Sequence, residues 1–180
     1  ILLCILSRLI PHPANFAPLM AVGIFGGAIF FEKKWAFLIP LLSIWLSDIF
    51  FSNVIYGQYY EEFMWFYPGW YWQYSIYFLT PLFSIILFRN EISLRKLIFL
   101  SLGSAVVFFL VSNFGVWFSG SLYPKTLEGL ITCYVMGLPF LKGTVLSNVF
   151  YPAVLFGGYY LLEHKTRLLD DSPKMEWKWT

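Results

Sequence analysis

Long apolar stretches, broken by short polar ones, run the length of the chain, and the spacing of the breaks predicts its elements. A helix needs about 20 apolar residues to cross a bilayer. Apolar stretches at 1–10, 18–31, 34–51, 70–88, 94–118 and 143–162 predict six membrane helices, the second of them short. The first opens without a Met inside an apolar run, which predicts that its beginning lies upstream of Ile1. Pro18 suits a first helical turn, where its missing N–H leaves no bond unmade. The stretch 127–141 is apolar too, but it is short and carries Gly137-Leu138-Pro139. It predicts an interfacial or re-entrant helix near 126–137 rather than a seventh span. The expected fold is all-α: a polytopic bundle with one transmembrane domain over 1–163 and a polar cytoplasmic tail over 164–180. No internal repeat is visible.

Charge orients the bundle. With the end of the second helix in the cytoplasm, the inner side holds Lys33, Lys34, Arg89, Arg95, Lys96, Lys165, Arg167, Lys174 and Lys178. The outer side then holds only Arg8, Lys125 and Lys142. That bias follows the positive-inside rule and places both termini in the cytoplasm. Two long outer loops result, 52–69 and 119–142, besides the proline-rich 11–18.

Composition narrows the classes. Of 180 residues, 59% are hydrophobic and only 12% charged, about half the charged share of a soluble domain. A net charge of +2 with no basic stripe indicates no nucleic-acid partner. Cys4 and Cys133 sit in apolar surroundings without a CxxC spacing, so neither a metal site nor a disulfide framework is indicated. No positive n-region or cleavage site marks a signal peptide. The loop 52–69 is crowded with rings, from Tyr56 and Tyr59 to Phe66 and Tyr67, and Trp70, Tyr71, Trp72 and Tyr74 follow. It reads either as an interfacial aromatic belt or as a lid that stacks on a planar ligand.

Polar residues inside the apolar segments need partners, because each costs several kcal/mol facing lipid. Asp48 in "WLSD", Asn113 in "NFGVW", Ser147 and Asn148 all fall in the outer third of their helices. Arg8, His12 and Asn15 lie at the matching end of the first helix and in its loop. Turned inward, they make either a ligand cavity open to the outside or a network that bonds only to itself. Arg8 and Asp48 are natural mutual partners. The candidate ligand-binding set is Arg8, His12, Asn15, Trp45, Asp48, Asn113 and Asn148. Gly23 and Gly27, four apart, make a small-residue face that either packs inside the bundle or contacts a partner protein. Pro40, Pro81 and Pro152 are expected to bend their helices. No catalytic set emerges: His12 has no Ser or Cys partner, and glycine-rich nucleotide loops and paired carboxylates are lacking. An enzyme is not expected, and no cofactor can be read.

The segments "RLIPHPANFAP", "GIFGGAIF", "LLSIWLSD", "NFGVW", "YPKTLEGLITCYVMGLPF" and "LFGG" together resemble an uncharacterised family of small bacterial integral-membrane proteins, over about residues 8–158. That family is similar in architecture to the substrate-binding S components of energy-coupling-factor vitamin transporters. The resemblance implies six helices and a ligand held near the outer face beneath the first and third loops, here 11–18 and 52–69. By position it makes Asn15, Asp48, Asn113 and Asn148 pocket candidates. S components dock a membrane coupling subunit through small residues of their first helix, most of which lies upstream of Ile1 here. The expected function is a transporter-type binding subunit in the bacterial inner membrane, taking a small solute from outside and needing protein partners for uptake. The alternative is a structural accessory subunit of a larger membrane complex. A weaker reading is a pigment or haem carrier through His12 or His164.

Overall fold

The computed structural model describes residues 1–167 and the pair 177–178. Six α-helices follow one another among the described residues: α1 (Leu2–Leu9), α2 (Leu19–Ile29), α3 (Lys34–Phe50), α4 (Trp70–Leu87), α5 (Leu94–Ser119) and α6 (Leu127–Arg167). One π-turn, Phe51–Ile55, prolongs α3, so the expected loop after residue 51 starts as helix. Two short strands, β1 (Ile92–Ser93) and β2 (Trp177–Lys178), pair in parallel. The expected tail lies largely outside the described residues, but α6 itself runs past residue 163 to Arg167.

Helix α2 is the centre of the bundle, with Leu19, Met20, Ala21, Gly23, Ile24, Gly26, Gly27 and Ala28 all buried. Its glycines let α4 approach closely. A Cβ on Gly27 would stand 2.6 Å from Ser84 Cβ, and one on Gly23 would stand 3.2 Å from Pro81 Cδ. Ser84 Oγ donates to the Ile24 carbonyl at 2.5 Å across the same contact. The small-residue face is therefore spent inside the bundle, and Gly23 and Gly27 are not presented to a partner protein. Lys33 Nζ closes the far end of α2 by donating to the Gly27 carbonyl at 2.9 Å, where the helix dipole favours a cation.

The largest departure from the sequence reading is α6. Residues 127–141 are neither a re-entrant helix nor a separate one: they form the first third of a single 41-residue helix, which passes through Pro139 and Pro152. At 1.5 Å per residue it is about 60 Å long, twice the hydrocarbon thickness. Contacts with α5 override the local break. Tyr134 Oη donates to the Leu110 carbonyl at 2.8 Å, and Cys133 Sγ lies 3.3 Å from the Asn113 carbonyl oxygen. Asn113 also packs on Gly137, directly beside the expected breakpoint. As a result Lys142 sits well inside α6, on an exposed face, and not in a loop.

Polarity is inverted relative to a soluble domain. Ser43, Ser47, Ser84, Thr144, Ser147 and Asn148 are almost wholly buried, while Phe99, Ile86, Phe83 and Leu161 lie on the outside. Small hydroxyls between helices and large apolar groups outside are the pattern of lipid-facing bundles. Three helical stretches, Lys34–Ile55, Leu94–Ser119 and Leu127–Lys165, are long enough and apolar enough to cross a membrane, and Leu19–Ile29 is a shorter apolar helix. One end of the bundle carries Trp70, Trp72, Trp117 and Phe118, and the other carries Lys33, Lys34, Arg89 and Lys96. These are the aromatic and basic ends of the bundle.

Candidate functional site

The loop 11–18 folds inward along α6 instead of standing clear of the bundle. Pro13 and Phe16 close a turn through a 3.0 Å backbone bond, with Asn15 between them at φ 61°. Asn tolerates this left-handed conformation better than most residues with a side chain. The Ala14 carbonyl lies so close to Gly143 that a Cβ there would collide with it. Phe16 packs its ring on Tyr151 and Phe150, with centroids 5.2 and 5.8 Å apart. The loop is thus held on α6 by one glycine and two rings.

Behind this loop is a cavity of about 160 Å³. Arg8, His12, Asn15 and Ala17 form its side toward α1 and the loop, and Phe51 and Gln73 come from α3's extension and α4. Its floor is Met20, Tyr77, Phe108 and Thr144, all buried. Asn15 is exposed and His12 half-buried, so the cavity runs from an open polar mouth to a closed floor. That floor is continuous with an apolar cluster that includes Cys4, Leu19, Ile44 and Ile76.

Arg8 is fixed at the cavity wall. Its Nη1 meets Asp48 Oδ1 at 2.8 Å and the Ile44 carbonyl at 3.2 Å, and it also donates to Ser47 Oγ. Asp48 Oδ2 accepts from Tyr74 Oη at 3.0 Å. The pair therefore ties α1, α3 and α4 together. Both oxygens of Asp48 are taken, and it stands behind Arg8 instead of lining the cavity. Gln73 is oriented from the other side, its Oε1 accepting from Tyr67 Oη at 2.8 Å. Burial, reinforced by the Asp48 charge, pushes the Tyr67 hydroxyl far above its ordinary value, so it remains a neutral donor.

Three of the predicted site residues, Arg8, His12 and Asn15, meet in this cavity, and Asp48 holds one of them. Three do not. Trp45 stacks on Trp65 at 6.5 Å over an apolar groove on the outside of α3 and α4. Asn113 donates to the Phe109 carbonyl at 2.8 Å and faces Gly137. Asn148 donates to the Ser101 carbonyl at 2.9 Å and touches Met20 from below. The expected single polar layer does not exist, because α6 starts at Leu127 and so carries Asn148 farther toward the basic end than a helix starting at Gly143 would.

The rings of the loop 52–69 pack on one another and on α4, as in Phe66–Trp70 at 4.4 Å and Phe63–Trp65 at 4.9 Å, and none of them lines the cavity. Asn53 anchors that loop by exchanging bonds with the Met64 backbone at 2.8 and 2.7 Å. Sequence reasoning missed Gln73 and Thr144. Gln73 was legible as the one amide in "WYWQYS", and Thr144 as the residue one helical turn before Asn148. Among the described residues no group of three His, Cys, Asp or Glu side chains is placed to hold a metal ion.

No curated protein matches the chain, and no solved structure does. One family model, described as a family of unknown function, matches residues 1–173. Covering nearly the whole length, that match places the chain in the DUF6580 family.

Proposed function

We propose that this chain is a solute-binding subunit of a membrane transporter, similar in plan to the S components of energy-coupling-factor transporters. Its six helices span a bacterial inner membrane with the basic end and both termini in the cytoplasm. The aromatic end and the mouth at Asn15 face outward, so a small solute enters from outside. The chain needs partner subunits to drive uptake, since it carries no recognisable nucleotide-binding loop.

The observation that carries this reading is the cavity itself. A concave pocket that sets an arginine, a histidine and two amides against buried ring surface has the make-up of a small-solute site. At about 160 Å³ it matches a solute of roughly one aromatic ring, the size that a cavity of about 150 Å³ admits. The Arg8–Asp48–Tyr74 network supports the rival reading too, as a tie between three helices in an accessory subunit without a ligand.

A plug separates the two. Ala17 lies in the wall on the half-buried loop, so Ala17→Trp fills the cavity while both residues of the ion pair are kept. Thermal unfolding of the purified full chain, screened against small polar and aromatic solutes, is expected to show hits that stabilise the native protein and not Ala17→Trp. Absence of any hit, or equal stabilisation of both, contradicts a binding function and favours the accessory role.

A further inference from the structure

The chemistry of the wall narrows the solute, and we propose that the cavity recognises a carboxylate on a small, largely apolar body. This rests on the reading of the cavity as a solute site. Among the described residues, Arg8 is the one side chain in the wall with a permanent charge, and no Asp or Glu lines the cavity. Every hydrogen bond of Arg8 among the described residues runs through Nη1, to Asp48, Ser47 and the Ile44 carbonyl. Its Nη2 and Nε have no acceptor among the described residues, at a side chain that is 20% exposed. Guanidinium nitrogens pair with the two oxygens of a carboxylate in a planar fork. Asp48, behind Arg8, holds the guanidinium in place and leaves that edge for the solute.

His12 and Thr144 offer acceptors, which do not bind a carboxylate and suit water or an N–H or O–H donor elsewhere on the solute. His12 Nδ1 lies 2.7 Å from the Pro13 carbonyl, an acceptor only, so Nδ1 carries the proton and Nε2 is the acceptor of the neutral ring. Thr144 Oγ1 already donates to the Phe140 carbonyl at 3.0 Å, which leaves it as an acceptor on the floor. Phe51, Tyr77 and Phe108 supply ring surface for an apolar body.

Benzoate, benzamide and benzylamine share one ring and differ only in the group offered to Arg8. Equilibrium dialysis of the purified full chain is expected to show benzoate binding at least tenfold tighter than the other two. Arg8→Lys keeps a cation beside Asp48 but loses the fork, and it should weaken benzoate at least tenfold while leaving benzamide within twofold. The paired change Arg8→Gln with Asp48→Asn leaves no unpaired charge and should erase the preference. Equal binding of the three probes, or a preference that survives the paired change, overturns the carboxylate assignment. So does silence of all three when other solutes stabilise the native protein but not Ala17→Trp. If no solute of any kind does so, the binding function itself fails and the assignment falls with it.

Discussion

Arg8 and Asp48 meet with 20% and 11% of their side chains exposed, too little water for the pair to behave as a surface salt bridge. Removing one partner leaves a charge between helices that water cannot reach freely. Asp48→Asn is therefore expected to destabilise the protein by about 3 kcal/mol, the scale for breaking a largely buried pair. Adding Arg8→Gln should restore much of that loss, which a double-mutant cycle on thermal unfolding measures directly. Equal, additive losses from the two changes would mean that they do not act as a pair. The ion pair was legible in the sequence because charges inside apolar segments are few and must find each other. Asn148 was misread because its depth was counted from a helix start that α6 does not have, and Asn113 because residues 127–141 belong to α6 and set Gly137 against its side chain. The role of Asp48 was half legible: its burial could be anticipated, but not that Tyr74 takes its second oxygen.

At the scale of elements, α2, α4 and α5 end within about two residues of where the apolar pattern puts them. Their limits are set by strong local signals: Pro18 before α2, Gly69 before α4, and charged turns at the basic end. Helix α6 was not legible, since Gly137-Leu138-Pro139 is a genuine local break that only the α5 contacts overcome. The inward course of the loop 11–18 was hidden for the same reason, because it depends on Gly143 in a distant part of the chain. That dependence is testable. Gly143→Val has no room beside the Ala14 carbonyl and should cost about 1–3 kcal/mol, as overpacking does. It should also abolish solute stabilisation by displacing Asn15 and Ala17. Gly157→Val on the same helix, where an added Cβ meets nothing within 4 Å, should unfold near the native temperature and keep its solute response. A Gly143→Val protein that binds as the native one does would remove the loop from the site.

For the whole molecule, fold class was the most legible property and function the least. Apolar length and low charge state an all-helical bundle almost directly, and the buried hydroxyls with exposed Phe99 and Ile86 agree with it. Sequence placed Arg8, His12 and Asn15 near one another, but a cavity is a property of packing: it exists here because α2 is short and the loop before it dips between α1 and α6. The central claim is that this space is occupied by a solute. Native mass spectrometry on the full chain, extracted gently from the membranes in which it is made, tests that most directly. A population carrying one additional small molecule is expected, absent from Ala17→Trp prepared in parallel. A single unliganded mass for the native protein, or the same adduct on both proteins, would contradict it.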